Sequence, residues 1–167
     1  MRDALYHTVQ SANMGPLREE RALLPGGNGE RPADVLLPNA AGGRHQAIDV
    51  CVVSSLQAQL VDRAAVEPGH ALAHRYHQKM TKYSDACLAE GIVFTPAPFE
   101  VLGGVHEATA SLIQRLGQAL ARASGQEEGT VTRHLFGRMS MLLQKGNASL
   151  ILSRIPNHPP PNIDGNL

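Results

Sequence analysis

Two aspartates set in consecutive apolar runs are the residues of this chain best placed to do chemistry. Asp34 enters Val35-Leu36-Leu37, and Asp49 lies inside Ala47-Ile48-Asp49-Val50-Cys51-Val52-Val53. Acids are depleted in strands, so each needs a reason to be there. Pro38-Asn39-Ala40-Ala41-Gly42-Gly43-Arg44 separates the runs and reads as a turn segment. Paired as a hairpin, the runs bring both carboxylates toward one end of it. Neighbouring carboxylates repel each other unless a cation lies between them, and a hard divalent ion with oxygen ligands meets that need. Either aspartate alone is well explained by capping or ending a strand. The two together bring the metal reading level with that plainer one.

A cation from the protein itself can also answer such an acid. A helix over about residues 71 to 90 carries the apolar stripe Leu72, Tyr76, Met80, Tyr83 and Cys87. At about 100 degrees per residue, Lys79 falls on the flank of that stripe, one turn before Tyr83, and Lys82 lies further toward solvent. From the flank an ammonium reaches over the sheet toward a strand carboxylate, where it stabilises developing negative charge or positions a water. Tyr83 brings a hydroxyl to the same region. The structural alternative makes Lys79 and Lys82 solvated helix lysines and Tyr83 a packing aromatic. His70, His74 and His77 have metal-ligand spacing but oppose the stripe, with no cysteine or acid joining them, and read as a polar face. No phosphate-binding glycine loop, serine elbow or Cys-His pair is present.

These residues have to be carried by a domain built on aliphatic packing. With 167 residues the chain is long enough for one domain with a real core, yet it has no Trp, three Phe and three Tyr. Lys plus Arg and Asp plus Glu are 15 each, so no global field draws in nucleic acid. The distribution is uneven: from Thr130 to Ile163 there is no acid, while Arg133, Arg138, Lys145 and Arg154 lie there. Cys51 and Cys87 form no framework and have no ligand spacing, which fits a reducing compartment. The polar start is no signal peptide, and no apolar run approaches membrane length. An intracellular protein is expected, nuclear if its ligand is DNA.

Periodicity and punctuation predict the elements. Residues 3 to 13 read as a short helix with Leu5, Val9 and Ala12 on one face. Leu17 to Leu24 follows, carrying Glu19 and Glu20, and Pro25 to Gly29 is a turn cluster. After the two acid-bearing strands the pattern turns helical from Leu56, breaks at Glu67-Pro68-Gly69, and resumes as the lysine helix, capped by Gly91. Ile92 to Phe99 is extended, and Pro96 and Pro98 place its later part at a sheet edge or beyond the sheet. Helices follow over 107 to 124 and 130 to 153, the second weakened at Gly146-Asn147. Residues 1–155 form one domain, and 156–167 are expected to be a disordered tail.

The order helix, strand, acid-bearing strand, acid-bearing strand, helix, strand resembles the restriction-endonuclease-like nucleases of the PD-(D/E)xK type. Arg31-Pro32-Ala33-Asp34-Val35 is similar to the family's Pro-Asp element with one residue inserted, and Ile48-Asp49-Val50 to its second acid. Lys79-Met80-Thr81-Lys82-Tyr83 looks like the Lys/Tyr helix of the nuclease domain that follows reverse transcriptase in site-specific non-LTR retrotransposons. There the lysine stands on the following helix, which fits Cys51 in place of a lysine two residues after Asp49. Leu23-Leu24-Pro25-Gly26, Glu100-Val101-Leu102-Gly103-Gly104 and Gln144-Lys145-Gly146-Asn147-Ala148 extend the likeness over roughly residues 2 to 155.

The resemblance implies an α/β fold with a restriction-endonuclease-like core, a small mixed sheet flanked by helices, and a C-terminal helical pair. It implies Mg2+ (or Mn2+) held by Asp34 and Asp49, with Glu20 (less so Glu19) as a further ligand. Lys79 or Lys82 would stabilise the pentavalent phosphate as DNA is cut, beside Tyr83. It also implies a reverse transcriptase domain as partner in a parent element, and the chain begins where such a nuclease tail would. The neutral net charge sits poorly with tight DNA binding, for which Arg138 and Lys145 are the best local substitute. A catalytically inactive nucleic-acid- or protein-binding remnant of the same fold is the alternative, and a fragment needing its partner domain to fold is a third.

Overall fold

The computed structural model describes residues 1–18 and 32–155. Glu19, Glu20, the turn cluster at residues 25 to 29 and the tail from residue 156 lie outside the described residues. Strand β3 (Arg44–Val53) is the spine of a four-stranded sheet of order β1-β2-β3-β4. On one side it pairs antiparallel with β2 (Val35–Ala41), which pairs in turn with the two-residue β1 (Leu17–Arg18). On the other side it pairs parallel with β4 (Ile92–Glu100). Parallel neighbours need a long crossover, and the segment holding α2 (Val61–Ala64) and α3 (His70–Ala89) supplies it. Helices α1 (Arg2–Ser11), α4 (Glu107–Ser124) and α5 (Glu128–Leu152) complete a mixed α/β architecture, α4 and α5 packing as a C-terminal pair.

The period-two alternation of β3 sorts its residues between two layers. Ile48, with Val35, Leu37, Ala97 and Phe99, meets α1, α4 and α5 in the main core, and Val50 packs against it. Ala47, with Ile92 and Phe94, packs on Tyr83 and Cys87 of α3, while Val53 meets Leu60, Ala71 and Leu72. Alternation puts Asp49 and Cys51 on this second face. Helix α3 lies over β4 with its flank along β3. The face of β3 that carries Asp49 is therefore bordered by a helix flank instead of being covered by a helix stripe.

Three local features differ from the sequence reading. The expected turn from Pro38 to Arg44 shrinks to Gly42-Gly43, both at positive φ (62° and 80°), with Ala41 already paired to Arg44. A register irregularity between Leu37 and Ala41 absorbs Pro38 and puts Asn39 at φ 54°, a conformation asparagine tolerates. The helix expected from Leu56 is one turn, Val61–Ala64. Finally, α5 runs unbroken through Gly146-Asn147. Asn147 does not compete with its own helix because its Nδ2 donates to the Val101 carbonyl at 2.7 Å, pinning α5 beyond the end of β4.

Strand β4 is an outer strand of the sheet, and its prolines fit there for a geometric reason. The Pro98 carbonyl accepts from Thr109 Oγ1 at 3.1 Å and from the His106 N–H at 3.3 Å, so it points away from β3. In an extended residue the amide nitrogen points the same way as the carbonyl. Pro98, and Pro96 two residues earlier, thus place their hydrogen-free nitrogens outward and cost the ladder nothing. The same joint seats α4: His106 is its N-cap, with Nδ1 accepting from the Ala108 N–H at 3.2 Å and the ring stacked on Tyr76 of α3 at 4.2 Å. Burial pushes the His106 pKa below its usual value, with His77 acting in the same direction and Glu107 against it. Among the described residues no helix is long and apolar enough to cross a membrane.

Candidate active site

Lysine 79 reaches the strand carboxylate across the flank of α3. Its Nζ donates to Asp49 Oδ1 at 3.1 Å and lies 3.0 Å from Oδ2. Asp49 is buried at 7% exposure, and Oδ2 is enclosed without a hydrogen bond of good geometry even though the ammonium is in ionic contact. The strand pattern sets this up: Ala47 and Asp49 share the α3 face, and Ala47 clusters with Tyr83, whose ring lies 5.6 Å from Lys79 Nζ. Lysine at the edge of a helix stripe usually extends to water. Here the ammonium turns inward, with its side chain 22% exposed.

Asp34 stands just before β2, where Val35 pairs with Ile48, so it lies at the same end of the hairpin as Asp49. Its N–H donates to the Ile48 carbonyl at 2.9 Å, and its Oδ2 accepts from the Val50 N–H at 2.8 Å. The carboxylate thus takes the place of the next ladder carbonyl, in the plane of the sheet. That is a strand-ending role, performed with a charged acceptor, which makes the hydrogen bond a strong one. Asp34 also borders a groove of about 470 Å3 on the other face of the sheet, with Val50, Val52, Leu143 and Asn147.

Cys51 records the electrostatics of this corner. Burial, followed by the Asp49 carboxylate, pushes its thiol up to about 11; Lys79 and Arg75 oppose the rise, and Asp34 adds to it. One buried sulfur therefore senses both acids and two cations. Arg75 was not singled out in the sequence. It precedes Lys79 by four residues and so shares its helix face, a spacing that was legible but unremarkable in a helix with polar residues on most sides. Its Nη1 donates to Gln78 Oε1 at 2.6 Å, and its Nε is enclosed with no hydrogen-bond partner.

The remaining expected residues divide. Lys82 Nζ stands 4.8 Å from the Tyr83 ring centroid, and Lys79 Nζ 5.6 Å from it, so the tyrosine underlies both ammoniums as a π-face. Tyr83 itself is buried, edge-on to Phe94 at 5.5 Å, and what the structure shows of it is ring packing. Glu20 falls outside the described residues. Among the described residues no group of three or more His, Cys, Asp and Glu side chains is gathered in a way that could hold a metal ion. His70 pairs with Glu67 at 3.0 Å and stacks against His74, while the His77 ring meets Tyr76 edge-on. Arg138 and Lys145 belong to α5, on the opposite side of the sheet from α3.

The structure brings Asp49 and Lys79 together between sheet and helix, while the Asp34 carboxylate is engaged by the Val50 N–H and borders the groove on the other face. Hard oxygen donors such as these carboxylates suit Mg2+ or Mn2+, but Asp49 Oδ2 is enclosed and occupied by the Lys79 ammonium at 3.0 Å. No family model, curated protein or solved structure matches the chain.

Proposed function

We propose that the chain is a metal-dependent DNA endonuclease with a restriction-endonuclease-like core, derived from a retroelement in which a reverse transcriptase domain is its partner. One observation carries this reading. Lys79, from the crossover helix, lies within 3.1 Å of both oxygens of an acid buried in the middle of a strand, next to the strand that Asp34 opens. A purely structural sheet has no need of a buried acid and a lysine to neutralise it, since an apolar pair of similar volume is often as stable or more so.

Asp49 and Asp34 would hold Mg2+ or Mn2+, with Glu20 as a further ligand. Bound there, the metal supplies a polarised phosphate oxygen and an activated water. With a divalent ion on Asp49, Lys79 would no longer be needed to neutralise that acid, and its ammonium could meet the negative charge that builds on the phosphate oxygens. Lys82 reinforces the positive field one turn along, and Tyr83 fixes the direction of both lysine stems. Plasmid nicking with Mg2+ or Mn2+ tests the assignment: Asp49→Ala and Asp34→Ala are expected to abolish it, and undiminished nicking by either refutes the site.

A second reading has its own support. Asp49 is already neutralised by Lys79, Asp34 is already engaged by the Val50 N–H, and no third metal-ligating side chain joins them among the described residues. A catalytically inactive nucleic-acid- or protein-binding remnant would look the same. It predicts DNA binding that is indifferent to metal and to Asp34→Asn, and no nicking.

A further inference from the structure

Three buried side-chain polar atoms lack a hydrogen-bond partner among the described residues, and two of them, Asp49 Oδ2 and Arg75 Nε, lie near Cys51 in this corner. Unsatisfied buried polar groups are rare and mark places where a further partner is expected. The acid is met by Lys79. The guanidinium is met only in part, by the neutral amide oxygen of Gln78.

Arg75, Lys79 and Lys82 stand at i, i+4 and i+7 of α3, the spacing of one helix face. The row is about 10 Å long at the helical rise, close to the axial rise of three nucleotides of one DNA strand. A guanidinium presents a planar fork that matches a phosphate bidentately, which a lysine cannot do. We propose that Arg75 is a DNA-binding residue of this site: it grips a backbone phosphate beside the one at Lys79, so that the row on α3 tracks a single strand past Asp49. The assignment rests on the nuclease reading, whose chemistry needs the strand held in register with the two acids.

Salt dependence of binding separates a phosphate contact from a packing role. The probe is a short fluorescent DNA duplex titrated with the full chain by anisotropy over a range of salt, with thermal unfolding of each variant alongside. Arg75→Gln removes one contact, so the slope of log affinity against log salt is expected to fall by about 0.9, and affinity at 0.1 M salt by about eightfold. Arg75→Lys restores the slope. Gln78→Glu is an exposed change that cannot disturb the core; its new carboxylate captures the guanidinium and lowers the slope by about the same amount. In nicking assays Arg75→Gln raises KM and leaves kcat near wild type, because the contacted phosphate is not the one cut.

If the wild-type chain binds DNA while Arg75→Gln and Gln78→Glu keep its affinity and slope, Arg75 is a packing residue and the proposal is wrong, with the nuclease reading untouched. If the wild-type chain binds no DNA, the nuclease reading fails and takes Arg75 with it.

Discussion

Replacing Lys79 with methionine keeps an apolar stem against Tyr83 and removes the cation from Asp49. The cost follows from how enclosed each partner is: the Asp49 side chain is 10% exposed and that of Lys79 22%. Breaking a fully buried pair by deleting one partner costs about 3–5 kcal/mol, whereas an exposed pair is worth about 0–1 kcal/mol. Lys79→Met is therefore expected to lose about 2 kcal/mol, or about 4–8 °C in Tm for a chain of this size. Asp49→Asn is the control: it strands an ammonium that can swing to solvent, and costs about 1 kcal/mol or less. The double variant recovers most of the Lys79→Met loss, since no charge is left enclosed. On the proposed metal reading, Mn2+ is expected to stabilise Lys79→Met more than wild type, by replacing the missing cation. Thermal unfolding by circular dichroism at pH 7, with and without Mn2+, reads all of these. A Lys79→Met Tm equal to wild type, or an Asp49→Asn loss as large as that of Lys79→Met, refutes the claim that Asp49 depends on its lysine.

Other outcomes follow from single contacts. Asp34→Ala leaves the Val50 N–H without its acceptor and should cost about 1–2 kcal/mol in urea unfolding, whereas Asp34→Asn keeps an acceptor oxygen and stays near wild type. A nicking loss shared by both variants, against a stability loss in one, assigns the carboxylate to chemistry as well as to the strand end. His106 has to be neutral for Nδ1 to accept from Ala108, and burial holds its pKa below the usual 6.5. The folded state then binds fewer protons than the unfolded one, so this contribution is complete above about pH 6.5 and falls as pH drops through the folded pKa. His106→Asn, a cap that does not titrate, should flatten that part of the Tm profile between pH 7 and pH 5; an unchanged profile assigns the acid sensitivity elsewhere. A Cβ at Gly117 would meet Thr132 Oγ1 and stand 3.1 Å from Thr132 Cα, so Gly117→Ala should destabilise the α4–α5 pair by about 1–3 kcal/mol in chemical unfolding.

What could be read in the sequence was what local spacing controls. The Lys79 position followed from the angular period of one helix, and the structure puts its ammonium on Asp49. The helix over 107 to 124 and the break at Pro68-Gly69 followed from periodicity and punctuation in the same way. Features set by tertiary partners were not legible. Asn147 looks like a helix breaker until the Val101 carbonyl is in view. Pro38-Asn39 reads as a turn until a register irregularity holds it within a strand. Asp34 illustrates the limit most clearly. Its type and place suggested a metal ligand or a strand end, and its bond to the Val50 N–H shows the second role without touching the first. Nothing in the sequence sets Arg75 apart from other helix arginines; what distinguishes it is a tertiary fact, the enclosed Nε.

The outward-facing prolines of β4 bear on how this molecule can meet another. Pro96 and Pro98 offer no hydrogens, and the Pro98 carbonyl is already taken by Thr109 and His106, so a foreign strand laid along the second half of β4 would find no donor at either proline and no acceptor at Pro98. The opposite margin is a strand of two residues. Strand addition is therefore opposed along the proline-bearing half of β4, where a growing ladder would break at two successive outward positions. Any partner that docks on that half of the β4 margin has to do so through side chains, because the backbone there has little left to share.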